Sequence, residues 1–161
     1  DKWVALEFDA VLLALNMPEG SNFIKRLRQI NQEVGVIAAD GLDVADVITE
    51  LGEDAEGLVI VTSYNPSDTR PQMESFLKKY QEKYHEEPDV WAIQGYESLQ
   101  LLARALKGTE SFSSAALAAF LRQMEPWPSI SGTISFNQSG EIEGREIYTK
   151  QVVNGQFRYT D

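Results

Sequence analysis

Residues 34–62 read VGVIAADGLDVADVITELGEDAEGLVIVT, and this stretch decides the fold class. Val34 to Ala38 form a short apolar run that reads as a buried strand, and Asp40-Gly41 turns the chain after it. Val44, Val47, Ile48 and Leu51 then recur at helical spacing, and Gly52 stops the helix they define. Leu58 to Thr62 is a second apolar run, again of strand length. Strand, helix and strand within about 30 residues is the pattern of a parallel sheet covered by helices.

The same alternation extends toward the N-terminus. Leu6 to Leu15 reads as a strand, with Phe8, Ala10, Val11, Leu12, Leu13 and Leu15 broken only by Asp9. Asn16-Met17-Pro18-Glu19-Gly20 ends it, and Pro18, which lacks an amide donor, suits the entry to a helix. Phe23, Ile24, Leu27 and Ile30 supply the expected inner face of that helix to about Asn31. Lys25, Arg26 and Arg28 fall largely on the side expected to be solvated.

Beyond Thr62 the composition changes. Ser63-Tyr64-Asn65-Pro66-Ser67-Asp68 is a turn-rich connection, and residues 71–124 read as entirely helical. One helix carries Met73, Phe76, Leu77 and Tyr80 inward. The next is expected to carry Trp91, Tyr96, Leu99, Leu102, Ala103 and Leu106, and a third runs from Ala115 to Met124 behind a Ser113 or Ser114 cap. Pro126 and Pro128 open a second connection. Gly132 to Phe136 and Glu146 to Val153 then read as strands, and Asn154-Gly155 is a hairpin signal before Gln156 to Tyr159. Two regions containing strands thus flank a helical one, as when a chain leaves one lobe, visits another and returns.

Bulk composition excludes several classes. With 14 Lys and Arg against 25 Asp and Glu, the formal charge is -11, a surface that repels phosphate backbones and anionic membranes. The 43% apolar content excludes a disordered chain, and no run approaches the roughly 18 apolar residues of a membrane span. There is no cysteine, so thiolate catalysis, disulfides and cysteine metal sites are absent. His85, the one histidine, sits beside Glu86 and Glu87 in a polar stretch and reads as surface charge at a helix end. Ser63, Ser135 and Ser139 have no base at a meaningful spacing, and no nucleophile elbow occurs. Asp9, Glu19, Asp40 and Asp54 are carboxylates in an acidic chain rather than a marked acid–base pair. Gly52 and Gly57 are not followed by the Lys-Ser or Lys-Thr of a phosphate loop. The reading is of a protein without catalysis, metal or cofactor.

Four groups of residues carry a family resemblance. The first is Asp9-Ala10-Val11, then Pro18-Glu19, then Ala38-Ala39-Asp40-Gly41. Next comes Gly52-Glu53-Asp54-Ala55-Glu56-Gly57 leading into a strand. Phe76 to Tyr84, Pro88 and Gly95-Tyr96-Glu97-Ser98 form the third. The fourth is Ile130 to Phe136 with Gly140, Tyr148 and Gln151 to Phe157. In this order and spacing the chain resembles the later part of the type I periplasmic solute-binding proteins, in the branched-chain amino-acid receptor branch of ABC transporters. No signal peptide is visible at Asp1-Lys2-Trp3, as expected of a mature or a truncated chain.

The resemblance implies a type I periplasmic-binding-protein-like α/β fold, a Venus flytrap with a parallel sheet and flanking helices, truncated on its N-terminal side. It places 1–64 and 130–161 in the second lobe and 68–126 among the helices of the first, with crossovers at 63–70 and 126–131. Trp127 would pin the later crossover, and Trp91 packs. Binding without catalysis is implied, of an amino acid or similar small polar solute in an interlobe cleft, with an inner-membrane permease as partner. The implied location is periplasmic or extracellular, lipid-anchored in a Gram-positive source. The alternatives are a receptor's ligand-sensing domain and an interaction module. Helices lacking their sheet would leave apolar faces to be covered by self-association or a partner.

The implied site residues are Asp40, Asn16, Tyr64 and Tyr96. Asp40 matches the acid that contacts the ligand ammonium, or else it caps or turns the chain with Gly41. Asn16 stands where receptors of this branch often place an aromatic ring, and offers a hydrogen bond instead of a stacking face, or supports the Pro18 turn. Tyr64 lies at the connection, where it closes over a ligand or packs along the chain. Tyr96 faces the interlobe region or packs.

Overall fold

The computed structural model describes residues 8–44, 46–109 and 111–160. The chain forms two compact units, one holding the residues up to Asn65 together with those from Ile147 onward, the other Pro66–Glu146.

In the first unit, β1 (Ala10–Leu13), β2 (Gly35–Ala38) and β3 (Val59–Thr62) pair in parallel. Two later strands, β7 (Tyr148–Val153) and β8 (Gln156–Thr160), extend the sheet antiparallel in the order β1-β2-β3-β7-β8. The parallel sheet expected from sequence is therefore mixed, because a hairpin adds its edge. That hairpin turns at Asn154 and Gly155, whose φ angles of 53° and 70° are the left-handed pair such two-residue turns require. The first strand expected at 6–15 is shorter, and Leu6 and Glu7 lie outside the described residues.

Register puts Val36, Ala38, Ile60 and Val152 on one face, where they are buried against α1 (Glu19–Ile30) and α2 (Asp46–Leu51). Alternation sends Leu12 and Ile37 to the other face, where Leu12 is 74% exposed. The inner face of α1 is narrower than its periodicity suggests: Ile24 and Leu27 are buried, whereas Phe23 and Ile30 are exposed. Arg28, expected on the solvated side, is buried because its guanidinium has carbonyls to satisfy it. Its Nη1 donates to Val34 O at 2.6 Å and Gln32 O at 3.0 Å, fastening the helix end to the turn that enters β2.

The second unit holds α3 (Pro71–Tyr84), α4 (Val90–Gly108) and α5 (Ser114–Gln123). Asp89 caps α4 by accepting from Ala92 N at 2.7 Å, and Ser113, rather than Ser114, caps α5. The expected inner face of α4 requires correction. Val90, Ile93, Glu97, Leu101 and Ala105 are buried, while Trp91, Tyr96, Leu99 and Leu102 are exposed. The helix is apolar on most sides, so periodicity alone did not select its stripe, and a satisfied carboxylate lies at the centre of the one chosen.

The unit closes with β4 (Trp127–Pro128), β5 (Gly132–Phe136) and β6 (Ile142–Arg145), an antiparallel sheet. Within residues 126–131, Trp127 and Pro128 pair with Ile134 and Thr133, and residues 129–131 turn the chain between the two strands. The chain passes into the first unit at Glu146–Ile147, and 130–146 keeps company with the helices. Among the described residues no helix is long and apolar enough to cross a membrane.

Candidate functional site

Open α/β sheets bind ligands beyond the carboxyl ends of their parallel strands, because the loops there diverge while the strand ends stay rigid. In this chain the segments following β1 and β2 meet at that end. Ala39 N donates to Leu13 O at 3.0 Å, carrying the parallel ladder one residue past β2. Gly41 then passes so close to the β1 exit that a Cβ there would stand 2.3 Å from Asn16 Oδ1 and 2.5 Å from Leu15 O. Glycine is required by this approach, since no larger residue fits against a backbone carbonyl. Asn16 is thereby brought against Gly41, the residue that follows Asp40 in the chain.

Asp40 opens a 3-10 turn, Asp40–Leu42, closed by Leu42 N to Ala39 O at 3.2 Å and Asp43 N to Asp40 O at 2.9 Å. The turn is anchored by Leu42, which is fully buried and packs over Gly20. The cap position of this turn is held by Ala39, and Asp40 is the first residue of the turn itself. Its carboxylate is exposed. Asn16 is exposed as well, and its carbonyl accepts from Gly20 N at 2.8 Å, which holds the entry to α1.

Beneath the turn lies a buried charge pair that the sequence reading passed over. Lys150 Nζ on β7 pairs with Asp43 Oδ1, with both side chains almost wholly buried. The ammonium also stands 3.8 Å from the ring centroid of Phe157 and 5.9 Å from that of Tyr159, so two aromatic faces share its charge. Asp43 Oδ2 has no hydrogen-bond partner among the described residues. The one hint in the sequence is register: Lys150 is two residues from the buried Val152 on the same face of β7.

Tyr64 belongs to this unit and is buried, its N–H donating to Thr62 Oγ1 at 3.1 Å. It lies near Tyr159, whose phenol is pushed well above the ordinary tyrosine value by burial first, then by the negative charge of Asp43 and by Tyr64.

Tyr96 belongs to the second unit. It is half-exposed and its ring packs tilted on Phe76 at 4.9 Å. With Tyr80, Tyr84, Trp91 and Leu99 these two rings line a groove of about 430 Å³ between α3 and α4. The neighbouring Glu97 is 1% exposed and collects four hydrogen bonds. Its Oε1 accepts from Ser131 N at 3.0 Å, Ser131 Oγ at 2.7 Å and Ser129 Oγ at 2.5 Å, and its Oε2 from Arg145 Nη2 at 2.6 Å. This carboxylate stitches α4 to the turn before β5 and to the end of β6. No group of three or more His, Asp or Glu residues is placed to hold a metal ion among the described residues.

The sequence profile described as periplasmic binding protein matches residues 2–156. A leucine binding protein from Thermotoga maritima superposes over 99% of this chain with a TM-score of 0.86 and 26% identity. A substrate-binding protein of an ABC transporter from Desulfitobacterium hafniense, solved with Leu, covers 99% with a TM-score of 0.79 and 27% identity. The Leu/Ile/Val-binding protein homolog 1 of Brucella abortus is 21% identical over 145 residues, 88% of this chain. The chain spans 46% of each of the two solved chains and 38% of the Brucella protein. It belongs to the periplasmic binding protein family.

Proposed function

We propose, from that family membership, that the chain forms part of the solute-binding component of an ABC uptake system. On this reading it binds an amino acid or a similar small solute bearing an ammonium group, in a periplasmic or extracellular setting, and hands it to an inner-membrane permease. The observation that carries the reading is Asp40: an exposed carboxylate in the turn after β2, one residue before the Gly41 that packs against Asn16, at the carboxyl ends of two parallel strands. A free carboxylate there can accept charge-assisted hydrogen bonds from an ammonium, while the Asn16 amide offers both donor and acceptor. Leucine, which the Desulfitobacterium protein was solved with, is the natural first probe. Binding and release without chemistry is the whole of the proposed activity, with neither cofactor nor metal.

Calorimetry on the full-length protein tests this. L-leucine and L-isoleucine should bind, and 4-methylpentanoate, which is leucine without its ammonium, should bind much more weakly. A charge-assisted hydrogen bond of about 1.5–3 kcal/mol predicts that Asp40→Asn weakens L-leucine by roughly 10- to 150-fold and leaves 4-methylpentanoate nearly unchanged. Equal losses for both ligands would remove Asp40 from the ammonium contact.

A second reading is supported by a separate observation. Leu99 and Leu102 are exposed on α4, and the aromatic groove lies open beside them. In an assembly module these side chains would be covered by another copy or a partner. Equilibrium sedimentation separates the two: a monomer that binds L-leucine supports uptake, and a self-associating chain that binds no amino acid supports assembly.

A further inference from the structure

We infer that Lys150 is a positioning residue for solute binding: through Asp43 it holds the 3-10 turn that presents Asp40, and it cancels the second negative charge of that turn. The inference rests on the solute reading of Asp40 and adds to it a residue more than 100 positions away in sequence.

Asp40 and Asp43 close the two ends of one short turn, joined by the hydrogen bond from Asp43 N to Asp40 O at 2.9 Å. Two carboxylates so close would repel each other and would favour a solute with two positive charges. They are treated differently by the fold. Asp40 is exposed, whereas Asp43 is buried and paired with Lys150. The turn therefore offers a solute one uncompensated negative charge, which suits a single ammonium.

Lys150 is itself well placed to act as a fixed post. Its backbone lies in the middle of β7, paired with Ile60 of β3 on one side and Tyr159 of β8 on the other. Its side chain shares a face with Ile60 and Val152, which are buried, and Phe157 and Tyr159 border its ammonium. A cation so confined cannot swing to a new position without leaving its partner buried and unpaired, which is strongly unfavourable. The position of Asp43, and with it the backbone of residues 40–43, is set from the rigid centre of the sheet. The other anchors of the turn are apolar or steric, namely Leu42 in the core and Gly41 against the β1 exit.

The test uses full-length protein with four variants. Lys150→Met keeps an unbranched apolar stem beneath the rings and removes the charge. Asp43→Asn removes the other charge, the double variant removes both, and Val152→Ala opens a cavity on the same face of β7 without touching the pair. Each single charge variant should weaken L-leucine at least about tenfold, and the double variant should stay weakened, because the pair that holds the turn is gone even though neither charge is left unpaired; full recovery in the double variant would overturn the hold. Val152→Ala should match the loss of melting temperature and leave affinity within about twofold. If Val152→Ala weakens binding as much as Lys150→Met, the role is merely structural and the inference fails.

Hydrogen exchange at the amides of Leu42 and Asp43, measured without solute, gives an independent reading. Lys150→Met should speed it about tenfold or more beyond Val152→Ala, the size expected when a local opening costs over 1 kcal/mol less. Unchanged exchange overturns the hold whether or not an amino acid binds. Should the wild-type protein bind neither L-leucine nor L-isoleucine, the solute reading falls on that result, and the exchange experiment still decides whether Lys150 holds the turn.

Discussion

Replacing Glu97 probes whether one buried carboxylate joins α4 to the strands that follow. In the wild-type protein Oε1 receives three hydrogen bonds from Ser129 and Ser131, and Oε2 receives the guanidinium of Arg145. Glu97→Gln retains an oxygen for the serines but turns an amide NH₂ toward Arg145, setting donor against donor where the distance is now 2.6 Å. Breaking a buried pair costs about 3–5 kcal/mol when the stranded charge stays buried. The Arg145 side chain is 20% exposed and can turn partly to water, so a loss near 2 kcal/mol is expected for glutamine. Glu97→Ala also strands the Ser131 hydroxyl and leaves the Ser131 amide with only Ser129 Oγ at 3.3 Å, while Ser129 Oγ keeps Gly132 O, and should cost about 4 kcal/mol. Urea unfolding in a Trp3→Phe background measures this, because Trp91 and Trp127 both report on the second unit. With a slope of about 2 kcal/mol/M, the midpoint should fall by about 1 M for Gln and 2 M for Ala. Adding Arg145→Met to Glu97→Gln should return part of the loss, since no charge is then left alone. A midpoint within about 0.2 M of wild type for Glu97→Ala would refute the reasoning, since it would mean that water satisfies these groups as well as the carboxylate does.

Two further expectations concern the first unit. Gly41→Ala should lower stability by about 1–3 kcal/mol in a thermal melt, and Asn16→Ala should not rescue it, because the added methyl also meets the Leu15 carbonyl at 2.5 Å. Tyr159 makes stability sensitive to alkaline pH: its phenol holds its proton above the ordinary value of 10, chiefly through burial and then through Asp43 and Tyr64. Above about pH 10 the unfolded chain therefore binds fewer protons than the folded one, so stability falls as pH rises. Urea midpoints taken from about pH 8 to about pH 11 should decline less in Tyr159→Phe than in wild type, and parallel curves would remove Tyr159 from the account.

The sequence made some of this architecture legible and hid the rest for physical reasons. Strands and helices of the first unit are local events: apolar runs of strand length, Pro18 at a helix entry and Asn154-Gly155 at a hairpin each act within a few residues. The inner face of α4 was not legible, because Trp91, Leu99 and Leu102 are as apolar as Ile93 and Leu101. The buried stripe includes Glu97, and a carboxylate is accepted inside only where distant donors reach it. The strand within 126–131 was not legible for a related reason. Pro126 and Pro128 signal a break in the helix, but the pairing of Trp127 with Ile134 depends on a strand that comes afterwards.

The candidate site shows the same division. Asp40 and Asn16 could be singled out because each follows an apolar run directly, and the approach of Asn16 to Gly41 follows from two parallel strands lying side by side. Tyr64 could be named but not placed: it is buried near Tyr159, which comes nearly 100 residues later. Lys150 had only one local mark, its place two residues from Val152 on the same face of β7. A lysine inside a strand ordinarily points to water, and only the register with Ile60 and Tyr159 turns this one inward to Asp43. Buried charges are therefore where this fold departs furthest from its local pattern. Each is costly unless its partner is in place, so Asp43 with Lys150, and Glu97 with Arg145, report whether distant segments have met correctly. That dependence makes a charge-removing substitution at either pair a sharper probe of how the unit containing it is assembled than any change confined to one strand or helix.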